Sequence, residues 1–295
     1  MNDLITKCAP AIFVVLWSTG FIGSKLGAPY ADPMVFLSVR FLAVLPFLAL
    51  IGWAMNAVWP TRVTAIFHCI VTGILVHGIY LGGVFWAIDN GMPAGASAIV
   101  VGLQPVLSAV TAAALLGEKI VAKHWVGLAL GGIGLVLVLG PNLNVAGSGI
   151  APATVAAAFI AVVAISIGTV YQKRFVPKTG LLAATLWQYV GALLLTLPLT
   201  LFESWDVTWS GQFIFALGWL ILVLSIGAIL VLMFLIRQGA VSQVASLFYL
   251  VPVATAVESY FLFGEVLTII QIAGMALVIC AVLLIRLNGS GRQMA

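Results

Sequence analysis

Ten apolar runs of about 20 residues follow one another along this chain, with turn residues between them. A run of that length crosses a hydrocarbon core of about 30 Å as a helix. Inside lipid the backbone must satisfy its own polar groups, which leaves helices or closed barrels. Barrel strands would alternate polar and apolar residues over about 10 positions, and these runs do not alternate. The expected spans are 9–28, 33–54, 63–88, 94–116, 121–140, 150–172, 181–202, 212–236, 241–263 and 268–286. Pro29-Tyr30-Ala31-Asp32-Pro33, Trp59-Pro60-Thr61-Arg62 and Gly140-Pro141-Asn142 carry the turn chemistry between them. Hydrophobic residues make up 63% of the chain and charged residues 7%, against about 45–50% and about 25% in soluble domains. Such a chain cannot coat a water-facing surface with charge. The fold class is therefore an all-α membrane protein. No connection is long or polar enough for a separate soluble domain, and the first run reads as a retained helix, not a signal peptide.

The basic residues set an expected orientation. With the N-terminus in the cytoplasm, Lys7, Arg62, Lys119, Lys123, Lys173, Arg174, Lys178, Arg237, Arg286 and Arg292 all fall inside, ten of the twelve Lys and Arg. Asp32, Asp89, Glu203, Asp206 and Glu265 fall outside. Ten helices then put both termini in the cytoplasm. The net charge of +4 is dispersed, which points away from nucleic acid. Cys8, Cys69 and Cys280 have unrelated spacings and read as small buried hydrophobes, with no metal or disulfide motif.

The chain also repeats itself. "LQPVLSAVTAAALLGEK" at 103–119 is echoed by "LVPVATAVESYFLFGEV" at 250–266. Pro105 and Pro252, Gly117 and Gly264, and Glu118 and Glu265 all stand 147 residues apart, as do Gly127 and Gly274 in the following helices. More weakly, "STGFIGSK" at 18–25 lies against "SIGTVYQK" at 166–173. The halves are 1–146, with helices one to five, and 147–295, with helices six to ten. Five is odd, so the second half starts on the opposite side and the repeats are inverted. Inverted repeats place a substrate site near the midplane between them; an old duplication kept only for packing is the competing explanation.

Two five-helix halves, each with a Pro helix ending in Gly-Glu, resemble the EamA-type carriers of the drug/metabolite transporter superfamily. The stretch from Phe85 to Gly140, with "GLQPVLSAVTAAALLGEK" inside it, is similar to that family's signature, and the resemblance covers nearly the whole chain. Within the family the chain looks most like the YddG-type exporters of aromatic amino acids and related metabolites. The resemblance implies a secondary transporter in a bacterial cytoplasmic membrane. Its partners would be a small-molecule substrate and the lipid bilayer, and its state a monomer or weak homodimer.

Polar residues inside a membrane are costly and are default candidates for a transport path. Ser97, Gln104, Ser108 and Thr111 fall within about 40° of one line on helix four. This polar stripe either walls a cavity or makes helix–helix hydrogen bonds. Ser166 matches Ser18 in the repeat. Pro105 and Pro252 sit mid-helix by this reading, where each removes a backbone hydrogen bond and could act as a hinge. Glu258 is the acid clearly inside a span. Lys25 and Arg40 are the two basic residues away from the inner face, so a salt bridge among the three could hold a gate, and Glu258 could alternatively carry a proton. His77 and Tyr80 share a face of helix three, with Trp86 on the other side. Trp17, Ser18 and Tyr249 complete the candidate cavity set. Trp59, Trp205 and Trp209 read as interfacial belt residues. The glycines of helix five permit close helix approach, which suggests peripheral helices five and ten and a dimer contact. Glu118 and Glu265 read as helix caps.

An intramembrane enzyme and a channel are the competing classes. The chain has no paired acidic motif for metal chemistry, no His-Glu metal helix and no nucleotide loop, so no metal or cofactor is expected. Inverted halves fit alternating access better than an open pore. Drug efflux is the alternative substrate class within transport.

Overall fold

A computed structural model describes residues 3–92, 97, 100–118, 120, 122–139, 151–177, 179–238, 241–263 and 267–287. Among them there are ten helical spans and no strand. These are α1 (Asp3–Gly27), α2 (Pro33–Ala54), α3 (Val63–Asp89), α4 (Gln104–Leu116) and α5 (Ala122–Leu139) in the first half. The second half holds α6 (Pro152–Phe175), α7 (Leu181–Leu199), α8 (Gly211–Gln238), α9 (241–263, in segments) and α10 (Ile269–Leu287). Five of them, α2, α3, α6, α7 and α8, are long and apolar enough to cross a membrane by themselves. The chain is a multi-pass membrane protein built from two five-helix repeats.

The fourth helix of each half is interrupted, and this differs from the sequence expectation. Gly102 and Leu103 form a turn, and the helix restarts at Gln104 with Pro105 in its opening turn. In α9 the segment Val241–Ser246 passes through a 3₁₀ turn, Leu247–Tyr249, before Leu250–Phe263. Pro252 lies in the opening turn of that last piece. Neither proline is mid-helix. Pro105 occupies the first turn of α4, where its missing donor costs little, and Pro252 follows directly on the 3₁₀ turn of α9. At the far end of α4, Gly117 closes the helix at φ 69, and its N–H bonds to Ala112 O. The left-handed conformation explains the glycine of this Gly-Glu pair; Gly264 and Glu265 lie outside the described residues.

The third helix of each half shares another irregularity. A π turn occupies Ile74–Ile79 in α3 and Leu220–Ala228 in α8. The two coincide at the repeat spacing. Turns of this kind are rare and gather at functional sites.

Close helix approach depends on paired glycines. A side chain on Gly73 of α3 would sit 1.8 Å from Gln188 O, and one on Gly191 of α7 would sit 2.3 Å from Ile70 O. Gly134 and Gly274 meet similarly between α5 and α10, at 2.9 and 2.8 Å. The glycines of α5 thus find their partner within the chain. Gly132 faces open space.

The two ends of the bundle differ in chemistry. At one end Asp32 accepts from Ser204 N at 2.8 Å and from its hydroxyl at 3.0 Å. There Glu203 caps the start of α2 from a distant loop, accepting from Met34 N and Val35 N at 2.8 and 2.9 Å. Burial pushes the Glu203 carboxyl above its usual range; the two N–H donors pull it back, and the nearby charges of Asp32 and Asp89 add to the rise. At the other end, cations cover helix C-termini. Lys173 donates to Ile236 O at 2.7 Å, and Arg174 donates to Leu115 O at 2.8 Å. Arg237 donates to Val176 O and Thr179 O. Trp59, Trp205 and Trp209 are exposed at these ends. Of the three cysteines Cys69 is buried, while Cys8 and Cys280 are exposed on apolar helices, contrary to expectation.

Candidate functional site

The polar stripe of α4 points into the bundle. Ser97, Gln104 and Ser108 are buried. Among the described residues, the hydroxyls of Ser97 and Ser108 and both amide atoms of Gln104 have no hydrogen-bond partner. Buried polar groups are ordinarily paired, because an unmet group costs about 1–3 kcal/mol. Thr111, half-buried, is occupied within its own helix, donating to Leu107 O at 2.7 Å. Ser166 on α6 reaches the stripe through its hydroxyl, which donates to Gln104 O at 3.4 Å. On another side Ala109 and Ala112 pack in one core with Leu247 and Phe248 of α9. The stripe therefore lies where first-half and second-half helices meet.

Trp17 stands at the same junction. Its ring packs against three separate apolar clusters: one around α9, one around α2 and α7, and one around Val76 and Tyr80. Phe13 and Phe248 lie 5.2 Å from it, centroid to centroid. Yet Trp17 is only partly buried. Next to it Ser18 is fully buried and donates to Glu258 Oε1 at 2.5 Å, joining α1 to α9. Glu258 Oε2 is buried without a partner among the described residues.

A second polar group centres on α7. Arg40 of α2 is 6% exposed, and its Nε donates to Ser225 Oγ at 2.9 Å. Tyr189 donates to Ser225 O at 2.9 Å. His77 stacks on the Tyr189 ring, at 4.7 Å and 16°, and its Nε2 meets Gln188 Oε1 at 3.3 Å. Adjacent residues of α7 thus grip both π turns. The expected Arg40–Glu258 salt bridge is absent among the described residues. The reason is packing: α2 lies against α7 and α8, while Glu258 lies where α9 meets α1. The Lys25 side chain lies outside the described residues.

Other expected site residues separate from this centre. Tyr80 is buried against Ala161 and Ile165 of α6. Trp86 is 37% exposed, on the flank of α3, and does not join the polar groups. Tyr249 lies away from the polar stripe: it is buried, donates to Leu128 O at 3.2 Å, and fills the space left by Gly131. An apolar cavity of about 470 Å³ lies beside it, lined by Gly102, Val106, Leu128, Gly132 and Val136. That groove carries none of the unpaired polar atoms. Among the described residues no group of His, Cys, Asp and Glu is arranged to hold a metal. Sequence reasoning missed Gln188, Tyr189 and Ser225. The available signal was a polar residue inside an apolar span: Ser225 stands alone in its run, and Gln188 and Tyr189 stand side by side in theirs.

Two repeats with matching breaks in their third and fourth helices, and unpaired polar groups where the halves meet, define a membrane transporter. The chain belongs to the EamA-like transporter family, whose pattern matches residues 8–140 and again 153–287. It is 27% identical to the uncharacterized transporter YvbV of Bacillus subtilis, over 97% of this chain and 92% of that protein. It is 28% identical to a probable amino-acid metabolite efflux pump of Salmonella typhimurium, over 90% of each. An S-adenosylmethionine uptake transporter of Rickettsia prowazekii is 26% identical, over 83% of this chain and 78% of that one. One solved crystal structure shares the fold with a TM-score of 0.80 at 20% identity, covering 97% of this chain and 98% of the other.

Proposed function

We propose that this chain is a secondary carrier that exports small metabolites, with neutral and aromatic amino acids as the substrate class. The halves 1–146 and 147–295 would exchange conformations to give alternating access. The observation that carries the reading is the row of buried, unpaired groups on Ser97, Gln104 and Ser108, at the junction of the halves. The name of the Salmonella relative, a probable amino-acid metabolite efflux pump, supports amino-acid metabolites as cargo and efflux as the direction. Gln104→Leu tests the assignment. It replaces an unpaired amide by an apolar side chain of similar size, so stability should hold or rise. Transport in reconstituted vesicles should fall by about 10-fold or more, since a substrate-contacting amide is worth over 1 kcal/mol. Full transport with raised stability would assign Gln104 to packing.

The membrane is a bacterial inner membrane in this reading, with both termini cytoplasmic. The cations over the helix ends at one face support that orientation. Single cysteines at Asp89 and Asp206 should react with an impermeant thiol reagent in intact cells. Protection of both would reverse the orientation.

A further inference from the structure

We propose that Arg40 binds the carboxylate of the transported substrate, with Gln188 as a second donor. The proposal rests on the carrier reading and adds to the α4 stripe a second substrate contact, at the polar group centred on α7. Arg40 is nearly completely buried in a helix that otherwise carries no charge. Its contact with Ser225 Oγ uses one of five guanidinium donors. Among the described residues no carboxylate pairs with it. Asp32 is taken by Ser204, Glu203 by Met34 and Val35, and Glu258 by Ser18.

The neighbouring groups are also short of acceptors. Tyr189 gives its hydroxyl proton to Ser225 O. Gln188 turns its oxygen to His77, which leaves Gln188 Nε2 buried with no partner among the described residues. Arg40 lies close enough to His77 and Tyr189 to interact electrostatically with both. The locality thus holds one fixed cation and one idle amide donor. A carboxylate supplies what is missing: one negative charge and two oxygens that match the planar guanidinium fork. A phosphate dianion would leave a charge uncompensated. Ser225 holds the guanidinium by its Nε, so the two terminal amino groups are free for such a fork.

The test uses the full chain in vesicles, with L-phenylalanine, L-leucine and L-threonine, each against its carboxamide. Benzoate and inorganic phosphate serve as competitors. Wild-type protein should prefer each acid to its amide by about 30- to 1000-fold in apparent affinity, the range for truncating one side of a buried charge pair. Benzoate should compete and phosphate should not. In Arg40→Gln the preference should collapse to within about threefold, with amide affinity nearly unchanged. Ser225→Ala keeps the cation but loosens it, so it should give an intermediate preference. Equal handling of acids and amides by the wild type would overturn the proposal. So would an Arg40→Gln protein that weakens both alike while keeping its melting temperature. If Arg40→Gln does not fold, Arg40→Lys and Ser225→Ala decide: an unchanged preference in both sinks the assignment. Should other solutes exchange while every acid fails, the Arg40 assignment falls and the carrier stands. Should no solute exchange at all, the carrier reading falls as well.

Discussion

Gly73→Ala is expected to lower the melting temperature of the purified protein by about 5 °C or more and to reduce the yield of monodisperse protein. The added methyl would lie 1.8 Å from Gln188 O, and the neighbour is backbone, so no rotamer change relieves it. Helices α3 and α7 would have to move apart. Overpacking of this kind costs about 1–3 kcal/mol or more. The same separation would pull Gln188 from His77 and unstack Tyr189, so transport should fall even in the fraction that folds. Gly191→Ala presses on the same crossing from the other side and should behave alike. Gly132→Ala is the control: it meets nothing within 4 Å and replaces a poor helix former, so stability should stay level or improve slightly. Matching melts for Gly73→Ala and Gly132→Ala would show that the crossing is loose.

The second large effect concerns Glu258. Ser18 Oγ lies 2.8 Å from Val15 O and 2.5 Å from Glu258 Oε1. A hydroxyl has one proton and cannot serve both. Two arrangements follow. An ionised Glu258 accepts from Ser18, and Val15 O loses its side-chain donor. A protonated Glu258 donates to Ser18, which then donates to Val15 O. One proton would switch the link between α1 and α9, hence between the two halves. Glu258→Gln can mimic the donating form through its amide but cannot release a proton. We expect it to keep downhill exchange within about threefold and to lose accumulation driven by an imposed pH gradient. Glu258→Ala should lose both. Gradient-driven accumulation that survives Glu258→Gln would remove the proton role, as would a wild-type protein indifferent to pH gradients.

The helices were legible because length and apolarity determine what can cross a membrane, and the repeat was legible because duplicated positions keep their spacing. The inward turn of Gln104 and Ser108 could also be read, since a polar stripe at helical spacing reports a face. The π turns could not. No residue type demands them, and neither α3 nor α8 contains a proline that would mark a break. Ser225 and Tyr189 also passed unnoticed, although Ser225 is a lone polar residue in an apolar run and Tyr189 stands beside Gln188 in another. Pro105 and Pro252 were visible, but a proline alone does not say whether its helix bends or restarts. The Arg40–Glu258 pair was inferred from depth in the membrane, which says nothing of which neighbour a helix faces. Paired glycines such as Gly73 and Gly191 come from different helices, and their meeting depends on the crossing itself.

A π turn holds one residue more than the α ladder allows, so beyond it the sequence positions that face a given side are shifted by one residue, about 100° of α-helical phase. The two ends of α3, and likewise of α8, therefore obey different registers. The 3.6-residue spacing of interior positions below the turn is therefore offset by one residue from the spacing above it. A single-residue deletion in either turn would close it into ordinary α-helix and leave both ends against their neighbours, whereas the same deletion elsewhere in the helix would rotate one end by about 100°. Each of these helices behaves as two short gears on one shaft, cut to mesh with different partners at the two faces of the membrane.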